Sequence, residues 1–141
     1  NKDAGFFLGQ QLGESIKNAE LFQNIDLLVP IPLHPKKEHI RGYNQSHVIA
    51  QGVEDKTNIP IAKDCLIRKV FTSTQTKKSR EERWENVKDI FEIKDSKYYE
   101  SKHILLIDDV LTTGATLLAA GRTLSQVLDI KISAATAACT S

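Results

Sequence analysis

Hydrophobic and polar positions alternate with two different periods along this chain, and the switches between them mark out its elements. Ala4, Phe7, Leu8, Leu12, Ile16 and Ala19 recur at helical spacing, so residues 3 to about 22 are expected to form a helix that packs on a sheet. The apolar run Asp26 to Ile31 predicts a buried strand, closed by Pro30 and Pro32. Gln45 to Lys56 predicts a helix with Val48, Ile49 and Val53 turned inward, ended by Asn58-Ile59-Pro60. Residues 64–71 and 89–94 read as strands, the second with Phe91 and Ile93 on one face.

The strongest signal lies from His103 to Thr116. Ile104 to Ile107 are uniformly apolar, as in a strand covered on both faces. A loop follows, then a helix over Thr116 to Leu128 and a last strand, buried and rich in small residues, over Ile130 to Ala138. Helices alternating with strands predict an α/β fold: a mainly parallel sheet flanked by helices. The stretch Thr72 to Val87 interrupts this order. Its only apolar residues are Trp84 and Val87, and Ser79 with Glu82 forms a capping box for a short helix near Arg80. A polar excursion between two strands reads as a flap, whose cations Lys77, Lys78, Arg80 and Arg83 could close on a phosphate-rich ligand. The competing reading is a solvated hairpin neutralised by Glu81, Glu82 and Glu85.

Chemistry concentrates after Ile107. Asp108 and Asp109 are adjacent, and Thr112, Thr113, Gly114, Ala115 and Thr116 then lead into a helix. At the carboxyl end of a parallel strand, such a loop offers free N–H groups, the positive end of a helix dipole and three hydroxyls. That is a phosphate site, and Gly114 lets the backbone come close to the ligand. Phosphate alone would be repelled by Asp108 and Asp109, which suit ribose hydroxyls or Mg²⁺. A ribose 5-phosphate satisfies both halves. A P-loop NTPase would need G-x-x-x-x-G-K-[ST], which the sequence lacks. The bland alternative is an acidic strand end with a threonine cap. Upstream, Leu33 to Ser46 is expected to be a charged loop with His34, Lys36, Lys37, His39 and Arg41. The spacing of its histidines is poor for zinc.

Four apolar residues, two aspartates and TTGAT together resemble the phosphoribosyl-pyrophosphate (PRPP) signature of type I phosphoribosyltransferases. VPIPLHPKKEHIRGYNQS, Val29 to Ser46, resembles a segment of the ComF family of competence-associated, phosphoribosyltransferase-like proteins. The resemblance covers the chain from about Asp26 onward. It implies a type I phosphoribosyltransferase-like fold in which Asp108 and Asp109 orient the ribose near Mg²⁺, itself held mainly through PRPP. It further implies that Thr112 to Thr116 hold the 5-phosphate, and that His34, Lys36, Lys37 and Arg41 serve the pyrophosphate. The flap, similar to ComF sequences in Gln75, Arg83 and Asn86, would act as a hood. The acceptor of the phosphoribosyl group is unidentified. Non-catalytic sensing of PRPP or a nucleotide is one alternative. Handling of single-stranded DNA beside other competence proteins is another, drawing on Lys36 to Arg41 with Tyr43 and on Lys77 to Arg83 with Trp84. A homodimer is a further expectation.

Composition narrows the classes. Net charge is +1, so nucleic acid has no global electrostatic case, and no apolar run reaches the roughly 18 residues of a membrane span. The 141 residues suffice for one domain with a real core. Cys65 and Cys139 are expected as two buried thiols in a reducing cytosol rather than a disulfide or zinc site. The chain opens on Asn1 and contains no Met. ComF proteins usually carry a four-cysteine zinc segment before this domain, so a fragment of a longer cytoplasmic chain is expected.

Overall fold

A computed structural model describes residues 1–62, 64–69 and 90–140. Its centre is a parallel sheet in the order β1 (Leu27–Pro30), β4 (His103–Leu111), β5 (Lys131–Cys139). Beyond β1, Ile61 adds one parallel bridge to Leu28, whose N–H donates to the Pro60 carbonyl at 2.9 Å. A separate antiparallel pair joins β2 (Leu66–Arg68) to β3 (Phe91–Ile93). The expected mainly parallel sheet with an antiparallel annex is therefore present. The proposed flap, with Lys77, Lys78, Arg80, Arg83 and Trp84, lies outside the described residues.

β4 owes its central place to its apolar run. Ile104 and Leu106 face α4 (Ala115–Leu124), meeting Ala119, Ala120 and Leu124. Leu105 and Ile107 face the other way, onto Ile49, Ala50 and Val53 of α3 (Gln45–Thr57). Each such buried side chain contributes about 1.5–3 kcal/mol. Four of them match the net stability of a typical domain, about 5–15 kcal/mol. β4 then continues past Ile107 through both aspartates to Leu111, held by β5 as far as Cys139.

Five expectations need correction. α1 (Lys2–Lys17) stops at Asn18, and a 3₁₀ turn, Glu20–Phe22, replaces its expected last turn. α1 packs chiefly on α3 rather than on the sheet. Gly9 and Gly13 are buried there with Ile16, whereas Phe7 and Leu8 are 57% and 46% exposed. Contact by glycine lets the two backbones touch, and it removes the side chains that a hydropathy pattern detects. The expected loop at 33–46 contains a helix, α2 (Pro35–Arg41). His34 Nδ1 accepts from the Lys36 N–H at 3.1 Å, Pro35 opens the helix, and Gly42 closes it at φ 88°. β5 is an edge strand, partly exposed along its length, and α4 ends at Leu124 rather than Leu128.

Candidate functional site

Parallel pairing puts the ends of β1 and β4 at one edge of the sheet, and the N-termini of α3 and α4 come to the same edge. Asn44 caps α3: its Oδ1 accepts from the Ser46 N–H at 3.0 Å, and its Nδ2 donates to the Ile31 carbonyl at 3.1 Å. That second bond ties α3 to the chain leaving β1. Ser46, buried in the first turn of α3, donates from Oγ to Asp108 Oδ1 at 3.1 Å. The same carboxylate oxygen accepts the Asp109 N–H at 2.9 Å, and Asp109 Oδ1 accepts the Val110 N–H at 2.8 Å. At α4, Gly114 takes φ 81°, which a side chain would resist, and Thr113 Oγ1 accepts the Ala115 N–H at 3.3 Å. The Ala115 N–H is thus partnered within the loop, and the first turn of α4 stands at the edge where β1 and β4 end.

A cavity of about 210 Å³ lies between these parts, and its ionisable lining residues are Asp108, Asp109, Arg41 and Arg68. Thr112 and Thr116 line it as well, as do Asn44 and Ser46. Among the residues expected from sequence, Asp108, Asp109, Thr112, Thr116 and Arg41 are thus brought together. Thr113, Gly114 and Ala115 stand beside them in the same loop. His34, Lys36 and Lys37 do not line this cavity: His34 caps α2, and the two lysines project from that helix, exposed. Arg41 donates from Nη1 to Gln45 Oε1 at 2.8 Å, which fixes it over the mouth of α3.

Arg68 and Ser46 were not singled out in the sequence. Arg68 leans its guanidinium over the Phe91 ring, 5.3 Å from the centroid, and its buried Nε has no hydrogen-bond partner among the described residues. Burial lowers its pKa from the ordinary value, and the negative charge of Asp108 opposes that fall. In Leu66-Ile67-Arg68 the alternation turns Leu66 and Arg68 to the same inward side, so an arginine on the buried face of a strand was the available signal. Asp108 is raised from its ordinary 3.8, first by burial, with the Asp109 N–H and Ser46 hydroxyl opposing and the Asp109 charge adding.

Two carboxylates do not make a metal cage. Among the described residues no group of three or more His, Cys, Asp or Glu could hold an ion. The donor set fits an Mg²⁺ that keeps waters and takes its remaining oxygens from a bound phosphate ligand. No helix of the described residues is long and apolar enough to cross a membrane. Cys65 is buried beside Tyr99, and burial pushes its thiol up to about 11. Cys139, expected inside, is exposed at the end of the edge strand.

Residues 44–138 match the phosphoribosyl transferase domain family, and the chain belongs to that family. Within it, the relatives are ComF proteins. Competence protein ComFC of Bacillus subtilis is 41% identical over 98 residues, which are 70% of this chain and 38% of that protein. Competence protein F of Haemophilus influenzae is 33% identical over 93 residues, 65% of this chain and 41% of that protein. The chain thus spans about two fifths of the length of the curated relatives it matches. Among solved structures, the glutamine PRPP amidotransferase of B. subtilis complexed with ADP and GMP shares the fold. Its TM-score is 0.67 at 19% identity, over 96% of this chain and 26% of that one. The type I phosphoribosyltransferase fold expected from the sequence is the fold observed.

Proposed function

We propose that this site binds PRPP with Mg²⁺ and transfers its phosphoribosyl group to an acceptor. The observation that carries the reading is that one cavity holds the acidic end of β4, the threonine loop at the α4 N-terminus and two arginines. Thr112 to Thr116 hold the 5-phosphate with backbone N–H groups and hydroxyls, where the helix dipole adds to the attraction. Asp108 and Asp109 accept from the ribose hydroxyls, and Ser46 fixes the rotamer of Asp108. Arg41 and Arg68 serve the diphosphate, and the unpartnered Nε–H of Arg68 supports this reading as a donor for the negative charge that grows as diphosphate departs. Mg²⁺, when bound with PRPP, would neutralise diphosphate charge, with Asp108 and Asp109 as the protein's share of its surroundings. No strong acid or base is needed, because positioning and electrostatic stabilisation carry such a reaction.

Calorimetric titration with PRPP, with and without Mg²⁺, tests this reading. Saturable binding is expected in the parent, and loss of binding in Asp108→Asn with Asp109→Asn. A double variant that binds as well as the parent removes the ribose assignment. A role in handling single-stranded DNA is the second reading, favoured by relatives named as competence proteins and by exposed Lys36 and Lys37 on α2. DNA affinity would fall steeply with salt as counterions are released, whereas PRPP affinity would depend on salt far less.

A further inference from the structure

Two features meet on the side of the molecule formed by α1 and β5. The first is the orientation of α1. Its glycines face α3, where a Cβ on Gly9 would run into the Ile49 carbonyl and one on Gly13 into Lys56. Two residues separate Phe7 from both Gly5 and Gly9, about half a turn of helix, so Phe7 points away from α3 and is 57% exposed. Leu8 turns toward the sheet, where it borders Ala137 and Ala138 of β5. The second feature is β5 itself. It is the outermost strand on this side, and among the described residues no strand pairs with its free edge. Natural edge strands are kept apart by shortness, by proline or by several charges. β5 has nine residues, no proline and one charge, Lys131 at its start.

We infer that this wall pairs with a second copy of the chain, β5 against β5 and antiparallel, across a two-fold axis at Ala135. An axis normal to the sheet keeps both α1 helices on one face, where Phe7 and Leu8 meet the outer side of the partner helix. An identical strand suits the edge because antiparallel pairing about a two-fold is self-complementary. Full overlap sets Lys131 of one copy opposite Cys139 of the other, so the one charge of the strand never meets itself. The size is adequate. The strand gives the wall roughly 30 Å of length, and the sheet with its helix layer gives roughly 20 Å of height, about 600 Å² a side. That reaches the lower bound of specific interfaces, about 600 Å² per partner. In the joined sheet the two carboxylate cavities lie at opposite ends, each built within one copy. The pairing is therefore scaffolding, and it stands whether or not the cavity takes PRPP.

Sedimentation equilibrium of the intact protein tests the association, and a short amine-to-thiol crosslinker tests the register. A dimer is expected in the parent. Phe7→Glu charges the helix half of the wall and Ala134→Lys the strand half, both at exposed positions. Each is expected to weaken association about tenfold or more. Within one copy Lys131 and Cys139 stand at opposite ends of the strand, roughly 26 Å apart and beyond the crosslinker. Across the axis they are neighbours. A Lys131–Cys139 link in the dimer band is expected by peptide mass spectrometry, and Cys139→Ser should remove it. A parent that stays monomeric at millimolar concentration overturns the inference. So does a dimer that survives both charged variants, a dimer without the Lys131–Cys139 link, or growth into open-ended assemblies.

Discussion

Replacing Gly52 by alanine tests how α1 is held. A Cβ at Gly52 would press into the Phe6 carbonyl oxygen, and it would lie 2.7 Å from the Gln10 nitrogen and 2.8 Å from the Gly9 carbonyl carbon. All three obstacles are backbone, so no side-chain rotation relieves them and the helices must separate. Overpacking of this kind costs about 1–3 kcal/mol, and the rigidity of the obstacle points to the upper end. Alanine returns about 1 kcal/mol of helix propensity, leaving a net loss of about 2 kcal/mol. Gly121 in α4 is the matched control, because a Cβ there meets nothing within 4 Å. Gly121→Ala should therefore gain most of that 1 kcal/mol. For a domain of this size, a loss of about 2 kcal/mol lowers Tm by roughly 6–10 °C. Urea denaturation followed by circular dichroism gives both values on one scale. PRPP binding is expected to persist in Gly52→Ala, since α3 is anchored on β4 through Ile49, Ala50 and Val53 and α1 is the element that yields. A Gly52→Ala midpoint at or above the parent's refutes the backbone contact between α1 and α3.

Three further outcomes are expected. Asp108→Asn keeps an oxygen to accept from Ser46 and from the Asp109 N–H but removes the carboxyl whose folded-state pKa is raised above 3.8. The raised value means that the native state binds the proton more tightly. Stability conferred below the unfolded pKa is therefore lost as pH rises through the folded one. The variant should match or exceed the parent's stability at neutral pH, and its advantage should shrink toward pH 4; an advantage that grows on acidification contradicts this. Gly114→Ala forces a side chain to φ 81°, at a cost of about 1–2 kcal/mol in urea, and should weaken PRPP binding, whereas Gly114→Asn should lose less of both. A thiol reagent at neutral pH should modify Cys139 and spare Cys65, whose thiol is buried and pushed up to about 11; two thiols reacting at equal rates in the native protein would contradict that.

Legibility in the sequence followed the physical origin of each feature. β4 was readable because burial on both faces leaves an unbroken apolar run, and the threonine loop because its residue types have few other uses in that order. α1 was readable as a helix but not in its facing, since its contacts are glycines and glycine carries no hydropathy signal. The seven residues of α2 are too short and too charged for periodicity, and the capping residues His34 and Gly42 were the clue to them. β5 looked buried because its residues are small, but small residues also suit an edge that a helix end approaches. Arg41 lines the cavity beside Asp108 and Asp109. His34, Lys36 and Lys37 were grouped with it by sequence proximity, which a helix undoes by turning neighbours to different sides. Ser46 and Arg68 reach Asp108 from distant parts of the chain, and no local pattern announces such a meeting.

The position of β4 between β1 and β5 also dictates an order of assembly. Asp26 and His103, bonded at the start of β4, are 77 residues apart. β1 emerges before β4 in synthesis, and the edge that pairs with β4 has no partner until that long loop is closed. Closure costs entropy before the new contacts return any free energy, so pairing of β1 with β4 is expected to be a late and slow event. Until then β1 presents an apolar edge on which other chains could pair. The bond from Ser46 to Asp108 can form only after that closure. A ligand that binds at this bond therefore selects chains whose sheet is complete, and it should raise refolding yield most under conditions where β1 would otherwise aggregate.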